Sequence, residues 1–230
     1  MYNILVCDDE ADIAAALEIY LTSDGYRVFI AANGRDALDI VKENDIHLVL
    51  LDIMMPVMNG IDTIRALRET SNIPVIMITA KSEDVDKILG LDLGADDYIT
   101  KPFNPMEVRA RVRSQLRRYM QLGGSGTSEN VITVGGICLD DNSRSVTLDG
   151  DPVALTPTQY GILRYFMQNT DKVLSPSDIY RAVWGDEPLG GEGTVAVHIR
   201  HLREKLEIDP SEPRYFRVVW GHGYLMPKKK

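Results

Sequence analysis

The chain has 230 residues, 44% of them hydrophobic and 26% charged, with a formal net charge of −9. That length suits two domains, each with a normal core, and the composition is that of soluble globular protein. No stretch approaches the ~18 apolar residues of a membrane span; the strand-like start MYNILVC leaves no room for a signal peptide; and Cys7 and Cys138 form no disulfide or zinc pattern, which together point to the cytoplasm.

An acidic chain is a poor nucleic-acid partner, but the charge is unevenly placed. Residues 1–120 carry 20 acids against 13 bases, whereas from Thr194 onward eight Lys/Arg face four Asp/Glu, with His198, His201 and His222 besides. The last segment is locally basic.

In chain order, the apolar runs NILVC (3–7), YRVFIA (26–31), HLVLL (47–51), PVIMIT (74–79) and DYIT (97–100) alternate with amphipathic stretches of helical length. Ile13, Leu17 and Leu21 mark a first helix, Ala37, Leu38 and Val41 a second, and Ile64 and Leu67 a third. Ile88 and Leu91 mark a fourth, and Val108, Val112 and Leu116 a fifth. Five such units imply an α/β domain over 1–120, a parallel sheet between helices, with its ligands beyond the carboxyl ends of the strands. QLGGSGTSEN (121–130) reads as a flexible linker. From 131 to 230 the pattern is a short-stranded meander, two helices (TPTQYGILRYFMQNT and SPSDIYRAVWG), the loop DEPLGGEG, a third helix TVAVHIRHLREKLE and a closing hairpin RYFRVVWGHGYLM.

Asp8 and Asp9 end the first strand and Asp52 the third. Each acid alone reads as a turn or cap residue, but with those strands adjacent all three side chains emerge at one edge. Three carboxylates so close cannot all stay ionised without a cation, and an oxygen-only donor set left partly to water suits Mg²⁺. Thr79 closes the fourth strand with a hydroxyl and Lys101 follows the fifth with an ammonium. A carboxylate nucleophile beside a metal, a lysine and a hydroxyl is suited to accepting a phosphoryl group.

The motifs CDDE (7–10), LLDIMMPVMNG (50–60), ITA (78–80) and DYITKPF (97–103) resemble the receiver domain of two-component response regulators. The resemblance implies the doubly wound strand order 2-1-3-4-5, Asp52 as phosphoacceptor and Asp8, Asp9, Asp52 and the backbone carbonyl of Met54 as Mg²⁺ ligands. It further implies Thr79 and Lys101 as phosphoryl contacts, Tyr98 as the aromatic whose rotamer follows phosphorylation, a cis Lys101–Pro102 bond and a sensor histidine kinase as phosphodonor. Haloacid-dehalogenase-type phosphatases also phosphorylate a strand-end Asp but need a second acid two residues later, where this chain has Met54; a switch and not an enzyme is expected.

Glu107, Arg111 and Arg118 share one face of the fifth helix, beside Lys87, Asp96 and Asp97. On charge alone this is a solvated surface. Resemblance to the OmpR/PhoB subfamily implies a homodimer through Lys87–Glu107, Asp97–Arg111 and Asp96–Arg118 when phosphorylated. The series LTPTQYGILRYF, SPSDIYRAVWG, TVAVHIRHLREKL and VVWGHGY resembles that subfamily's winged helix-turn-helix domain, and its wording is closest to the vancomycin-resistance branch.

In the third effector helix Val195, Ile199, Leu202 and Leu206 form the core stripe. The opposite face is expected to present Thr194, Val197, Arg200, His201 and Glu204, with His198 and Arg203 at its borders. Arg can read guanine and Val can meet a thymine methyl in a major groove. The resemblance implies promoter DNA as partner, on direct repeats, with Arg200, His198 and Arg203 at bases or phosphates, Thr194 and Val197 nearest the bases, and Arg217 to Leu225 as the wing, whose Arg217 or His222 contacts phosphate. Several family members place an arginine at the position of Trp220. The loop Asp186–Gly193 implies contact with RNA polymerase or a plain connector. The competing expectation is a DNA-binding regulator independent of phosphorylation, whose receiver serves only to dimerise.

Overall fold

The computed structural model describes residues 1–80, 93–121, 131–185 and 193–228, which form two compact units, Met1–Tyr119 and Met120–Lys230.

The first unit is a parallel five-stranded sheet. Its strands β1 (Asn3–Cys7), β2 (Arg27–Ala31), β3 (Leu48–Asp52), β4 (Val75–Ala80) and β5 (Asp97–Lys101) are ordered β2-β1-β3-β4-β5. Ile4, Val6, Leu48, Leu50, Ile76, Ile78 and Ile99 share one core with Ala14, Leu17 and Leu21 of α1 (Ala11–Ser23) and Val108, Val112 and Leu116 of α4 (Pro105–Gln121). Residues of opposite parity (Leu5, Val49, Leu51, Val75, Met77) are buried as well, so β1, β3 and β4 are covered on both faces, as their apolar runs require, whereas the edge strand β2 leaves Arg27 and Ile30 exposed. α2 (Gly34–Glu43) and α3 (Gly60–Arg68) begin at Asn33 and Asn59, whose side chains accept the Asp36 and Asp62 N–H groups at 3.1 and 2.8 Å. The fourth helix expected around Ile88 and Leu91, with Lys87, lies outside the described residues, as does the stretch 122–130.

The second unit opens with an antiparallel meander of β6 (Val131–Val134), β7 (Ile137–Asp140), β8 (Ser145–Leu148) and β9 (Asp151–Pro152). Three helices follow: α5 (Pro157–Gln168), α6 (Pro176–Trp184) and α7 (Gly193–Leu206). α5 starts in a capping box between Thr156 and Gln159 and α6 at Ser175, while Gly185 ends α6 in the left-handed conformation at φ 78°. β10 (Val173–Leu174), β12 (Gly223–Leu225) and β11 (Arg217–Val219) form the second sheet, in that order, with β11 and β12 as the terminal hairpin. Gly223, at φ 136°, lies against the Leu174 carbonyl, where a Cβ would stand 2.1 Å from its oxygen. One core joins the meander, the helices and the hairpin through Leu139, Phe166, Trp184, Ile199, Phe216 and Met226.

Candidate functional site

Parallel pairing of β1 with β3, Cys7 opposite Leu51, brings Asp8 and Asp52 to one edge. Carboxylate oxygens of Asp8, Asp9 and Asp52 lie within 4.8 Å of one another, Asp8 and Asp52 buried and Asp9 exposed. The loop after Asp52 can turn this tightly because residue 60 has no side chain; a Cβ on Gly60 would stand 2.2 Å from the Asp52 carbonyl oxygen. Thr79 is buried on β4, the strand between β3 and β5, and Met54 is exposed in the loop after β3. The Lys101–Pro102 bond is cis.

Lys101 supplies the cation. Its ammonium lies 3.0 Å from Asp8, 3.2 Å from Asp52 and 3.0 Å from Glu10. Burial lifts the Asp52 carboxyl to about 6; Lys101 pulls it down and the Asp8 and Asp9 charges push it further up. Burial works against the Lys101 ammonium, but its bonds to Glu10 and Asp8 and the charge of Asp52 hold its pKa above the ordinary lysine value. Beneath the acids, Cys7 points its thiol at the Met55 sulfur, 3.4 Å away, and burial, then the neighbouring carboxylates, push that thiol up to about 12, so it is an inert core group. Glu10 was not legible as part of the site: it stands one residue before α1, in a position that reads as a helix start.

The charged face of the receiver differs from expectation at two residues. Asp96 is not on the surface. It is fully buried, accepting from Arg68 Nη2 and from the Val75 N–H, both at 3.0 Å, because Arg68 folds under the sheet to bond also the Gly94 and Ile73 carbonyls. Asp97 is likewise buried and accepts from Arg111 Nη1 with both carboxylate oxygens at 2.9 Å, within the same chain; Arg111 also holds Glu107. Tyr98 is half-buried on β5. The Arg118 side chain lies outside the described residues.

The third effector helix is also rotated from expectation. Its exposed arc runs through Gly193, Ala196, Arg200 and Glu204, with Val197 and Arg203 half-buried on the flanks. Thr194, His198 and His201, expected to face outward or sideways, are buried. The cause at His198 is α6, whose Trp184 lies 5.8 Å from the imidazole and stacks in turn on Tyr180 at 4.6 Å. Four aliphatic positions mark the centre of a buried face but not its width, and here the face is widened by polar aromatics. Arg200 pairs with Glu204 at 3.5 Å, and Arg203 donates Nε to the Phe216 carbonyl at 3.0 Å. Arg217 is exposed, and Trp220 stands 89% exposed at the hairpin tip. Of the loop Asp186–Gly193 only Gly193 is described. Among the described residues no helix is long and apolar enough to cross a membrane.

Residues 4–113 match the response regulator receiver domain and residues 150–226 the C-terminal domain of transcriptional regulatory proteins. The chain is 42% identical over 228 residues to the regulatory protein VanR of Enterococcus faecium and to VanRc of Enterococcus gallinarum, in each case covering 98% of this chain and 99% of the relative. The crystal structure of DrrB, an OmpR/PhoB homologue from Thermotoga maritima, is 31% identical with a TM-score of 0.51 over 99% of both chains. The chain belongs to the OmpR/PhoB-type DNA-binding response regulators of two-component systems.

Proposed function

We propose that Asp52 accepts a phosphoryl group from a sensor histidine kinase and that the phosphorylated chain dimerises and regulates transcription from promoter DNA. The observation that carries this is the Lys101 ammonium held between Asp8 and Asp52, at 3.0 and 3.2 Å, at the carboxyl edge of the sheet. The donor set fits a hard divalent ion: oxygens only, close together, with positive charge already drawn to them. Asp8, Asp9, Asp52 and the Met54 backbone carbonyl would hold Mg²⁺, which when bound neutralises charge on the transferring oxygens. An Asp52 oxygen attacks the phosphorus of the kinase phosphohistidine; the P–O bond forms as the P–N bond breaks. Lys101 contacts a phosphoryl oxygen, Thr79 donates its hydroxyl to another, and Tyr98 follows by changing rotamer.

The switched state is a homodimer through Lys87, Asp97, Glu107, Arg111 and Arg118. Asp97 and Arg111 then exchange their partner within the chain for one across the two-fold axis, and Asp96, engaged by Arg68, takes no part. In the effector, α7 enters the major groove by its Arg200 face, while Arg217, Trp220 and His222 of the wing meet the adjacent backbone. Two copies occupy direct repeats about one helical turn apart, and the loop 186–193 touches RNA polymerase. This chemistry belongs to the cytoplasm.

The test is DNA affinity before and after treatment with a small acyl phosphodonor and Mg²⁺. Wild type gains affinity for its selected site and Asp52→Asn does not; equal gains in both refute the proposal.

A further inference from the structure

Glu207 follows the last residue of α7, and its buried carboxylate accepts three consecutive backbone N–H groups, from Arg214 at 2.8 Å, Tyr215 at 2.7 Å and Phe216 at 3.0 Å. One turn earlier on the same helix, Arg203 donates to the Phe216 carbonyl. Both polar groups of Phe216 are therefore held from α7 and the residue just after it, and the next residue, Arg217, opens the hairpin. The hold is strong in kind: bonds from amides to a carboxylate and from a guanidinium to a carbonyl are charge-assisted, and three donors nearly fill a carboxylate's capacity. Burial of the segment does not need it, because Phe216 already packs edge-on against Phe166 at 5.4 Å and the Tyr215 hydroxyl already accepts the Gly136 N–H at 3.0 Å. What the two side chains add is a fixed relation between one helix and one hairpin.

We infer that Glu207 and Arg203 are positioning residues for DNA binding, which lock the wing to α7 so that Arg200, Arg217 and Trp220 meet the duplex as one rigid surface. The inference rests on the reading above, in which both α7 and the wing touch DNA. A surface ordered before binding loses less freedom on binding, so contacts made by the wing add their full effect to those made by the helix. Arg203 thus acts through Phe216 and not on DNA, and Glu207, an acid that would repel phosphates if exposed, is turned inward onto backbone N–H groups.

The test is a double-mutant cycle on the full-length chain, with a duplex selected from random DNA by the wild-type protein. The wing variant Arg217→Ala/Trp220→Ala is combined with Glu207→Gln and, separately, with Arg203→Lys, which keeps the positive charge but loses the planar fork. The wing variant is expected to weaken wild type several-fold and to cost little more in either latch background, while the base preferences of the latch variants stay those of wild type. The exposed Trp220 gives a second readout: its emission change on DNA addition shrinks in Glu207→Gln, and circular dichroism and melting show whether that variant is folded. If Glu207→Gln fails to fold, Arg203→Lys alone decides. Fully additive losses overturn the inference and leave DNA binding by the wing intact. A wing variant that binds like wild type refutes the wing contact itself, and the inference with it.

Discussion

Lys101, on the last residue of β5, places its ammonium 3.2 Å from Asp52 on β3, spanning the intervening strand β4. A lysine can make that crossing because its stem is long, and it is drawn there because Asp8, Glu10 and Asp52 would otherwise face one another without a counter-charge. In the metal-free protein the ammonium does the neutralising that a divalent ion would do.

Lys101→Ala leaves the acids uncompensated. In Mg²⁺-free buffer the receiver should lose on the order of 1–3 kcal/mol, less than a fully buried pair because Lys101 is partly solvated. Saturating Mg²⁺ should restore most of the loss, since an ion bound only by the native state stabilises it. Calorimetry with and without Mg²⁺ measures both; a variant as stable as wild type without metal contradicts the account.

Asp52→Asn should abolish phosphoryl acceptance and yet stabilise the metal-free receiver by about 1 kcal/mol, since it removes a buried like charge at no change of shape. The same scans read it. Destabilisation would mean that the Lys101 contact outweighs the repulsion.

Asp96→Ala removes the partner of a buried guanidinium and the acceptor of the Val75 N–H. A cost of about 3–5 kcal/mol is expected in the receiver's unfolding transition, with phosphorylation-dependent dimerisation preserved in the fraction that remains folded. Arg111→Glu should abolish the dimer, and because it also strips the counter-charge from buried Asp97 and from Glu107, its assembly is read in the folded fraction. Sedimentation velocity with and without phosphodonor separates the two, and an Arg111→Glu protein that still dimerises on phosphorylation refutes the proposed face.

On the effector, Arg200→Ala should relax the preference for one base pair per half-site by roughly 1–3 kcal/mol. His198→Ala, despite lying two residues away on the same helix, should leave every base preference unchanged and lower the effector's stability by a few kcal/mol through the cavity left beside Trp184. Selection from random duplexes and melting of each variant distinguish them; altered base preference in His198→Ala would return that residue to the DNA surface.

The legible part of the molecule was the part written in period and position. Short apolar runs marked the strands of the first sheet, and because Asp8, Asp52 and Lys101 each end or follow one of them, their meeting at one sheet edge could be read without coordinates. What could not be read depends on where long side chains turn. Asp96 and Asp97 are adjacent acids at a strand entrance and look alike in sequence, yet Arg68, some thirty residues earlier, takes the first and Arg111 the second. Glu207 gives no signal either, for it closes an amphipathic helix with an ordinary charged residue. His198 and His201 misled because polarity stood in for exposure, and a stacked Trp–Tyr pair makes histidine a core residue.

The most direct measurement is the mass of the protein, and of its peptides after reductive trapping, following exposure to an acyl phosphodonor with and without Mg²⁺. A single phosphoryl group on Asp52, formed only with Mg²⁺ and absent from Asp52→Asn, is the predicted result. Phosphorylation at another residue, or none at all in a folded protein supplied with metal, would contradict the account.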